Sequence, residues 1–223
     1  MSLIGNLSKL LLPRSYATIV RDMQGYYAMK ETFIADQYNW LLNNLNKKSI
    51  AVDIGANIGD SAIYFARNKN VKLVYAYEPF PILYKEAKKN ISLAKSKKIK
   101  LFNAGICSSN KDIMIPDMYP AHEGSIIKNY NKGIKIHIYD INYILKNIRN
   151  LHTEQILIKS DCEGCEYNIF NETVNLSKVT KIQIEFHHGV NNIPSVLKQK
   201  KFRVATKGNI KSGIGWIYAV KGI

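Results

Sequence analysis

Ser49-Ile-Ala-Val-Asp53-Ile-Gly55-Ala-Asn57-Ile-Gly59-Asp60 decides how the chain is to be read. An apolar run ends in an acid, enters a turn with two glycines and passes into a stretch of helical character. Such a strand–loop–helix unit lets a ligand approach through backbone alone, because glycine takes positive φ without steric cost. The loop differs from the dinucleotide pattern Gly-x-Gly-x-x-Gly, in which a pyrophosphate meets uncluttered backbone N–H groups at a helix N-terminus. Asp53 and Asn57 instead offer acceptors, which suit the ammonium group of an amino acid moiety. Gly55 and Gly59 keep the turn tight and let the helix sit against the strand.

From residue 49 onward strands and helices alternate, which argues for a parallel sheet with right-handed crossovers. Expected strands are Ser49–Asp53, Val71–Glu78, Lys98–Asn103, Gln155–Ser160 and Lys181–Phe186, closed by an antiparallel pair, Phe202–Thr206 and Trp216–Val220. Expected helices are Asp60–Asn68 with Asp60 as N-cap, Ile82–Ala94 after Pro81, Ile141–Asn147 capped by Asp140, and Asn192–Lys200. Cys107–Asn131, with turn signals at Ser108–Asp112 and His122–Ser125, reads as an inserted loop or hairpin, and Ile134–Tyr139 as a half-exposed strand.

Residues 1–48 read as a helical extension preceding a domain over 49–223. Leu3, Ile4, Leu7, Leu10 and Leu11 share one helical face that Pro13 stops; such a stripe docks on the parent core, a partner subunit or a membrane surface. Glu31–Leu45 reads as a second helix, a cap over the ligand end of the domain. Tyr26, Tyr27 and Met29 just before it are candidates for a substrate entrance.

Composition narrows the class. The 46% hydrophobic content of the 223 residues is that of an ordinary globular protein, and no apolar run reaches the length of a membrane span. Three cysteines do not make a disulfide framework and suit a reducing, cytoplasmic setting. The net charge of +15 would steer anionic partners, RNA or an acidic surface among them. Much of the basic excess clusters in Lys85–Lys100, as on a solvated outer helix.

Two further stretches carry chemistry. Tyr75-Ala-Tyr77-Glu78-Pro79 ends the second strand with a carboxylate, which at that place accepts both ribose hydroxyls of an adenosine, while Pro79 turns the chain away. At the end of the third strand Asn103-Ala104 is a candidate border for the adenine edge. Ile156-Leu-Ile-Lys159-Ser160-Asp161-Cys162-Glu163-Gly164-Cys165-Glu166 then places three acids past a buried strand, at the edge where open α/β sheets bind ligands.

In these motifs the chain resembles the FkbM-type methyltransferase family. The family's Asp-x-Gly-Ala-Asn-x-Gly is matched at Asp53–Gly59, its Tyr/Phe-Glu-Pro at Tyr77–Pro79, and its Lys-x-Asp-x-Glu-Gly-x-Glu at Lys159–Glu166. Its Glu-x-His after the fifth strand is matched at Glu185-Phe186-His187. The resemblance implies a class I, Rossmann-like α/β fold: a mostly parallel seven-stranded sheet with helices on both faces. It also implies S-adenosyl-L-methionine as cofactor and O-methylation of a hydroxyl, on a sugar, glycan or small natural-product-like acceptor. Cofactor contacts are then expected at Asp53, Gly55, Asn57, Gly59, Glu78, Pro79, Asn103 and Ala104.

An alcohol oxygen is a poor nucleophile until its proton leaves, so a base within hydrogen-bond reach assists transfer. Asp161 is the first candidate to contact the acceptor, followed by Glu163 and His187 as base or orienting groups. Glu166 is expected in the first turn of the next helix, and Lys159 paired with the acids. A divalent cation on Asp161, Glu163, Glu185 and His187 is a less favoured reading, with no metal ligand assigned. Zinc or redox chemistry at Cys162-x-x-Cys165 is disfavoured too. The absence of Asn/Asp-Pro-Pro-Tyr/Phe after the fourth strand argues against amino methylation of bases. An RNA methyltransferase and an inactive binding module remain as alternatives.

Overall fold

The computed structural model describes residues 23–117, 131–149, 155–211 and 213–222. The stripe Leu3–Leu11 and the turn at His122–Ser125 lie outside them. In chain order come α1 (Met23–Phe33), α2 (Asn39–Leu42), β1 (Ser49–Ile54), α3 (Asp60–Arg67), β2 (Val71–Tyr77), α4 (Pro81–Leu93), β3 (Ile99–Phe102), β4 (Gly105–Cys107) and β5 (Lys111–Ile115). They are followed by β6 (Ile134–Asp140), α5 (Ile141–Arg149), β7 (Gln155–Ser160), α6 (Glu166–Ile169), β8 (Val179–Phe186), α7 (Ile193–Gln199), β9 (Phe202–Gly208) and β10 (Gly215–Lys221).

β1 is buried at every position and has parallel neighbours on both sides, β2 and β7, as expected of an apolar run at the centre of an α/β sheet. The order is β3-β2-β1-β7-β8-β10-β9, with β10 alone running opposite to the other strands. Alternate residues of the strands feed different cores. Ile50, Val52, Ile54, Ile156 and Ile158 meet Leu145, Ile169, Phe170 and Leu197 on one face. Ala51, Val74, Ala76 and Leu157 meet Leu41, Phe65 and Ala66 on the other. This is the class I methyltransferase architecture, with helices on both faces of a mostly parallel seven-stranded sheet.

The structure departs from expectation in several places. The described part of the stretch read as an inserted loop or hairpin, 107–117, supplies β5, and β4, β5 and β6 build a second sheet, β4-β6-β5, whose Ile115 and Ile136 pack with Met29, Ile58, Phe80 and Leu83. Met29 is therefore core and not an entrance residue. The expected helix over Glu31–Leu45 is broken after Phe33, where Asp36 adopts a left-handed φ of 55°. The segment beyond the break is tied to the sheet: Gln183 donates to the carbonyl of Gln37, and Lys181 to those of Trp40 and Asn43. Asp60 does not cap α3. The N-cap position is Gly59, at φ 85°, and the buried Asp60 carboxylate accepts from Thr32 of α1. Asp140 does cap α5, accepting the N–H of Asn142.

The cysteines also differ from expectation: Cys162 and Cys165 are joined in a disulfide and Cys107 is a buried free thiol. An odd total leaves room for one local pair, so cysteine usage carries no argument about compartment. Among the described residues no helix is long and apolar enough to cross a membrane.

Candidate active site

The loops at the C-terminal ends of β1, β2, β7 and β8 enclose a cavity of about 540 Å³, within the size range of small-molecule sites. The open-sheet topology dictates this place, since helices leave the strands there and expose backbone and side chains at the edge. Gly55, Asn57, Glu78, Pro79, Asp161, Glu163 and His187, all named from the sequence, line it. Asp53, Gly59, Asn103 and Ala104 are not part of its lining.

Close backbone approach explains Gly55. At φ 77°, a Cβ there would sit 1.8 Å from the carbonyl oxygen of Asp161, so β1 and β7 could not turn past each other with any other residue. Asp161 donates its N–H to the carbonyl of Ile54, fixing the same junction. Gly59 leaves room for Ala87 of α4. Asn103 acts from behind, its side-chain amide donating to the carbonyls of Glu78 and Pro79. Gly105 and Ile106, slightly further along, form the wall that was expected from Asn103 and Ala104.

Glu78 is buried, and its two oxygens accept the N–H groups of Asn57 (2.8 Å) and Phe80 (2.9 Å). Burial pushes its carboxyl up to about 8 against the opposing pull of those N–H groups. Each oxygen keeps a free lone pair, so the carboxyl can still take a ligand's hydroxyls.

Lys159 lies beneath the loops at 2% exposure. Its Nζ is 2.6 Å from the carbonyl of Gly55, 3.3 Å from Asp53 Oδ1 and 3.8 Å from Asp161 Oδ2, and it faces the ring of Tyr38. Burial works against its charge, but Asp53, Asp161 and Asp60 outweigh that and hold it above the ordinary lysine range. Asp53 also accepts from Ser61, so its carboxylate faces the protein interior and not the ligand space.

In the same cavity His187 joins three acids. Its Nε2 is 3.3 Å from Glu163 and 3.7 Å from Asp161, while its Nδ1 is 3.1 Å from Glu166. Glu166, wholly buried at the start of α6, also accepts the N–H groups of Gly164 and His187. It therefore pins the turn to the strand and orients the imidazole. Burial disfavours the charged ring, yet Glu166, Glu163 and Asp161 raise it to about 9. Glu185, two residues earlier on the same strand face, is raised to about 8 by burial and by Asp161.

Asp161, Glu163 and His187 also bring one potential ligand atom each within 4.8 Å of one another. His187 Nε2 faces both Glu163 and Asp161, so the three side chains form an ion-pair network. The second sulfur-containing cluster, Cys162, Cys165 and Glu166, is closed to metal by the disulfide.

His187 and Glu185 both bind protons more tightly in the folded chain than their ordinary values of 6.5 and 4.5. Stability then falls as pH rises, between 4.5 and about 8 for Glu185 and between 6.5 and about 9 for His187. Thermal melts across that range should show a descending Tm, and His187→Asn should flatten the upper part. A Tm constant or rising from neutral pH to 9 would contradict the described network.

Phe80, Ser61 and Ile214 also line the cavity without having been singled out in the sequence, and Gln37 and Tyr38 join them from the Glu31–Leu45 segment expected as a cap. Phe80 directly follows the Glu-Pro motif and was the easiest to find. Tyr38 and Gln37 reach the cavity through the break after α1, which the helical spacing of that segment does not show.

The family described as Methyltransferase FkbM domain matches residues 53–204. No curated protein matches the chain. Among solved structures, the Streptococcus pneumoniae protein Sp1610 in complex with S-adenosyl-L-methionine is similar with a TM-score of 0.51 at 12% identity, over 84% of this chain and 72% of that one. An rRNA methylase from Streptococcus thermophilus has a TM-score of 0.49 at 14% identity, over 84% and 95% of the two chains. A precorrin-6y C5,15-methyltransferase from Geobacter metallireducens has 0.48 at 12%, over 92% and 95%. At such identities the likeness is one of fold. The family match, in contrast, runs from the Asp53 loop through the acid cluster and into β9, across more than half of the residues, and the chain belongs to the FkbM methyltransferase family.

Proposed function

We propose that the chain is an S-adenosylmethionine-dependent O-methyltransferase acting on a hydroxyl of a sugar, glycan or small natural-product-like acceptor. One observation carries the reading: a single cavity is lined both by Asn57 and Glu78 and by the Asp161–Glu163–His187 network. The donor set fits the cofactor, because the Glu78 carboxyl retains lone pairs for a ribose diol beside a glycine turn that admits close approach.

When bound, the cofactor's sulfonium supplies an electrophilic methyl group. Glu78 would hold the ribose hydroxyls, and the backbone from Gly55 to Asn57 would border the amino acid portion. Asp161 takes the acceptor's proton. His187, oriented by Glu166, fixes Asp161 and Glu163 against one another's charge. Lys159 is engaged with Asp53 and the Gly55 carbonyl, so it positions the loops and does not act on substrate. Alignment of the two reactants supplies most of the rate in such a displacement, and a positioned base adds about 10²–10⁴-fold.

The test is transfer of labelled methyl from S-adenosylmethionine to cell extract separated into glycan and lipid, RNA, and small-molecule fractions. Label is expected in a glycan or small-molecule fraction, and Asp161→Asn should lower that transfer about 100-fold or more. Label confined to RNA would replace this reading with the RNA alternative suggested by the +15 charge. Absence of transfer to any fraction, with cofactor bound, would favour a binding module. Full transfer by Asp161→Asn would make the acid cluster structural.

A further inference from the structure

The turn between Asp161 and Glu166 carries two sulfur atoms that methyl transfer does not use. The Cys162–Cys165 disulfide, with Cα atoms 5.4 Å apart, closes over Glu163 and Gly164, both at positive φ (54° and 104°). The loop it closes is so short that it removes little chain entropy from the unfolded state. Its effect is therefore local, on the turn that presents Asp161 and Glu163 to the cavity.

The two ends of the bond differ. Both border the cavity, but Cys165 is fully buried at 0% exposure, whereas Cys162 is partly exposed. Cys162 also has a second partner in waiting: its Sγ lies 3.5 Å from Glu166 Oε2, to which a reduced S–H can donate. The same oxygen accepts the Gly164 N–H, and the other oxygen of that carboxylate holds His187. A reduced Cys162 thus has an acceptor at hand, and through Glu166 its state is linked to His187.

We propose that Cys162 and Cys165 are a redox-active pair, modified by thiol reductants that enter through the cavity, and that their state sets the order of the turn carrying Asp161 and Glu163. A thiolate of the reductant attacks Cys162 Sγ, the bond between the two sulfurs breaks, and Cys165 leaves as a thiolate that takes up a proton. A second thiol of the reductant then attacks the mixed disulfide and releases Cys162, which takes up another proton. The protein gains two electrons and two protons, and the dithiol becomes a disulfide.

The test uses the full chain in buffers of graded reduced-to-oxidised dithiothreitol. Thiols are trapped with N-ethylmaleimide and located by mass spectrometry, with circular dichroism and amide hydrogen exchange recorded in parallel. One two-electron transition at Cys162 and Cys165 is expected with the circular dichroism unchanged, while the buried Cys107 stays unmodified. Exchange across 161–166 should quicken about tenfold on reduction. Cys165→Ala should leave Cys162 open to alkylation without reductant and make exchange in the turn insensitive to dithiothreitol. Alkylation of both cysteines in fully oxidised buffer, reduction only with loss of native circular dichroism, or equal exchange in the two states would overturn the proposal. No arm contains a methyl donor, so failure of the methyltransferase reading would leave these outcomes unaffected.

Discussion

Lys159→Met is expected to lower the stability of the chain by about 3–5 kcal/mol, the cost of removing one partner of a buried ion pair and leaving the other charged. For a chain of this size that is a fall in Tm of about 6–20 °C. Lys159 and Asp53 are 2% and 0% exposed, and the same ammonium supports the Gly55 carbonyl and faces Asp161. Methionine keeps much of the side-chain volume, so the loss measures charge more than packing. Asp53→Asn added to Lys159→Met should restore part of the Tm, because it removes the stranded carboxylate. A single variant that melts with the wild type would mean that the pair is hydrated.

That residue also illustrates how the site could and could not be read from the sequence. Its motif, Lys159-Ser160-Asp161, suggested pairing with the acids that follow it, and Asp161 is indeed within 3.8 Å. The stronger partner, Asp53, comes from β1 and meets Lys159 because the two strands pair in register. Strands β1 and β7 were legible because a parallel strand buried on both faces reads as an unbroken apolar run. Glycine loops and strand-end acids were legible because turns and ligand edges require those residue types.

What stayed hidden depends on contacts distant in sequence. β4 is only three residues long and pairs with β6 across an irregular stretch, so no periodicity announces the second sheet. Asp60 looks like a helix cap from its spacing, but its buried carboxylate meets Thr32, 28 residues upstream. Asp36 breaks a helix that amphipathic spacing would continue. Asp53, read as a ligand contact, turns inward because Ser61 and Lys159 claim its oxygens.

Glu78→Ala is expected to weaken binding of S-adenosylhomocysteine about 10- to 100-fold. Two hydrogen bonds to the ribose at about 0.5–1.5 kcal/mol each would be lost, and each 1.4 kcal/mol is a factor of ten. The substitution also releases the N–H groups of Asn57 and Phe80, which loosens the wall around the ligand. Glu78→Gln keeps one acceptor oxygen and should lose less. Both variants should remain folded, since β2 and its pairing partners do not depend on this side chain.

Isothermal titration of the full chain with S-adenosylhomocysteine, set beside the Glu78→Ala variant, tests the central claim most directly. The account predicts saturable one-site binding by the wild type and a loss of at least tenfold in the variant. Absence of binding by the folded wild type, or equal affinity in the two proteins, would contradict it.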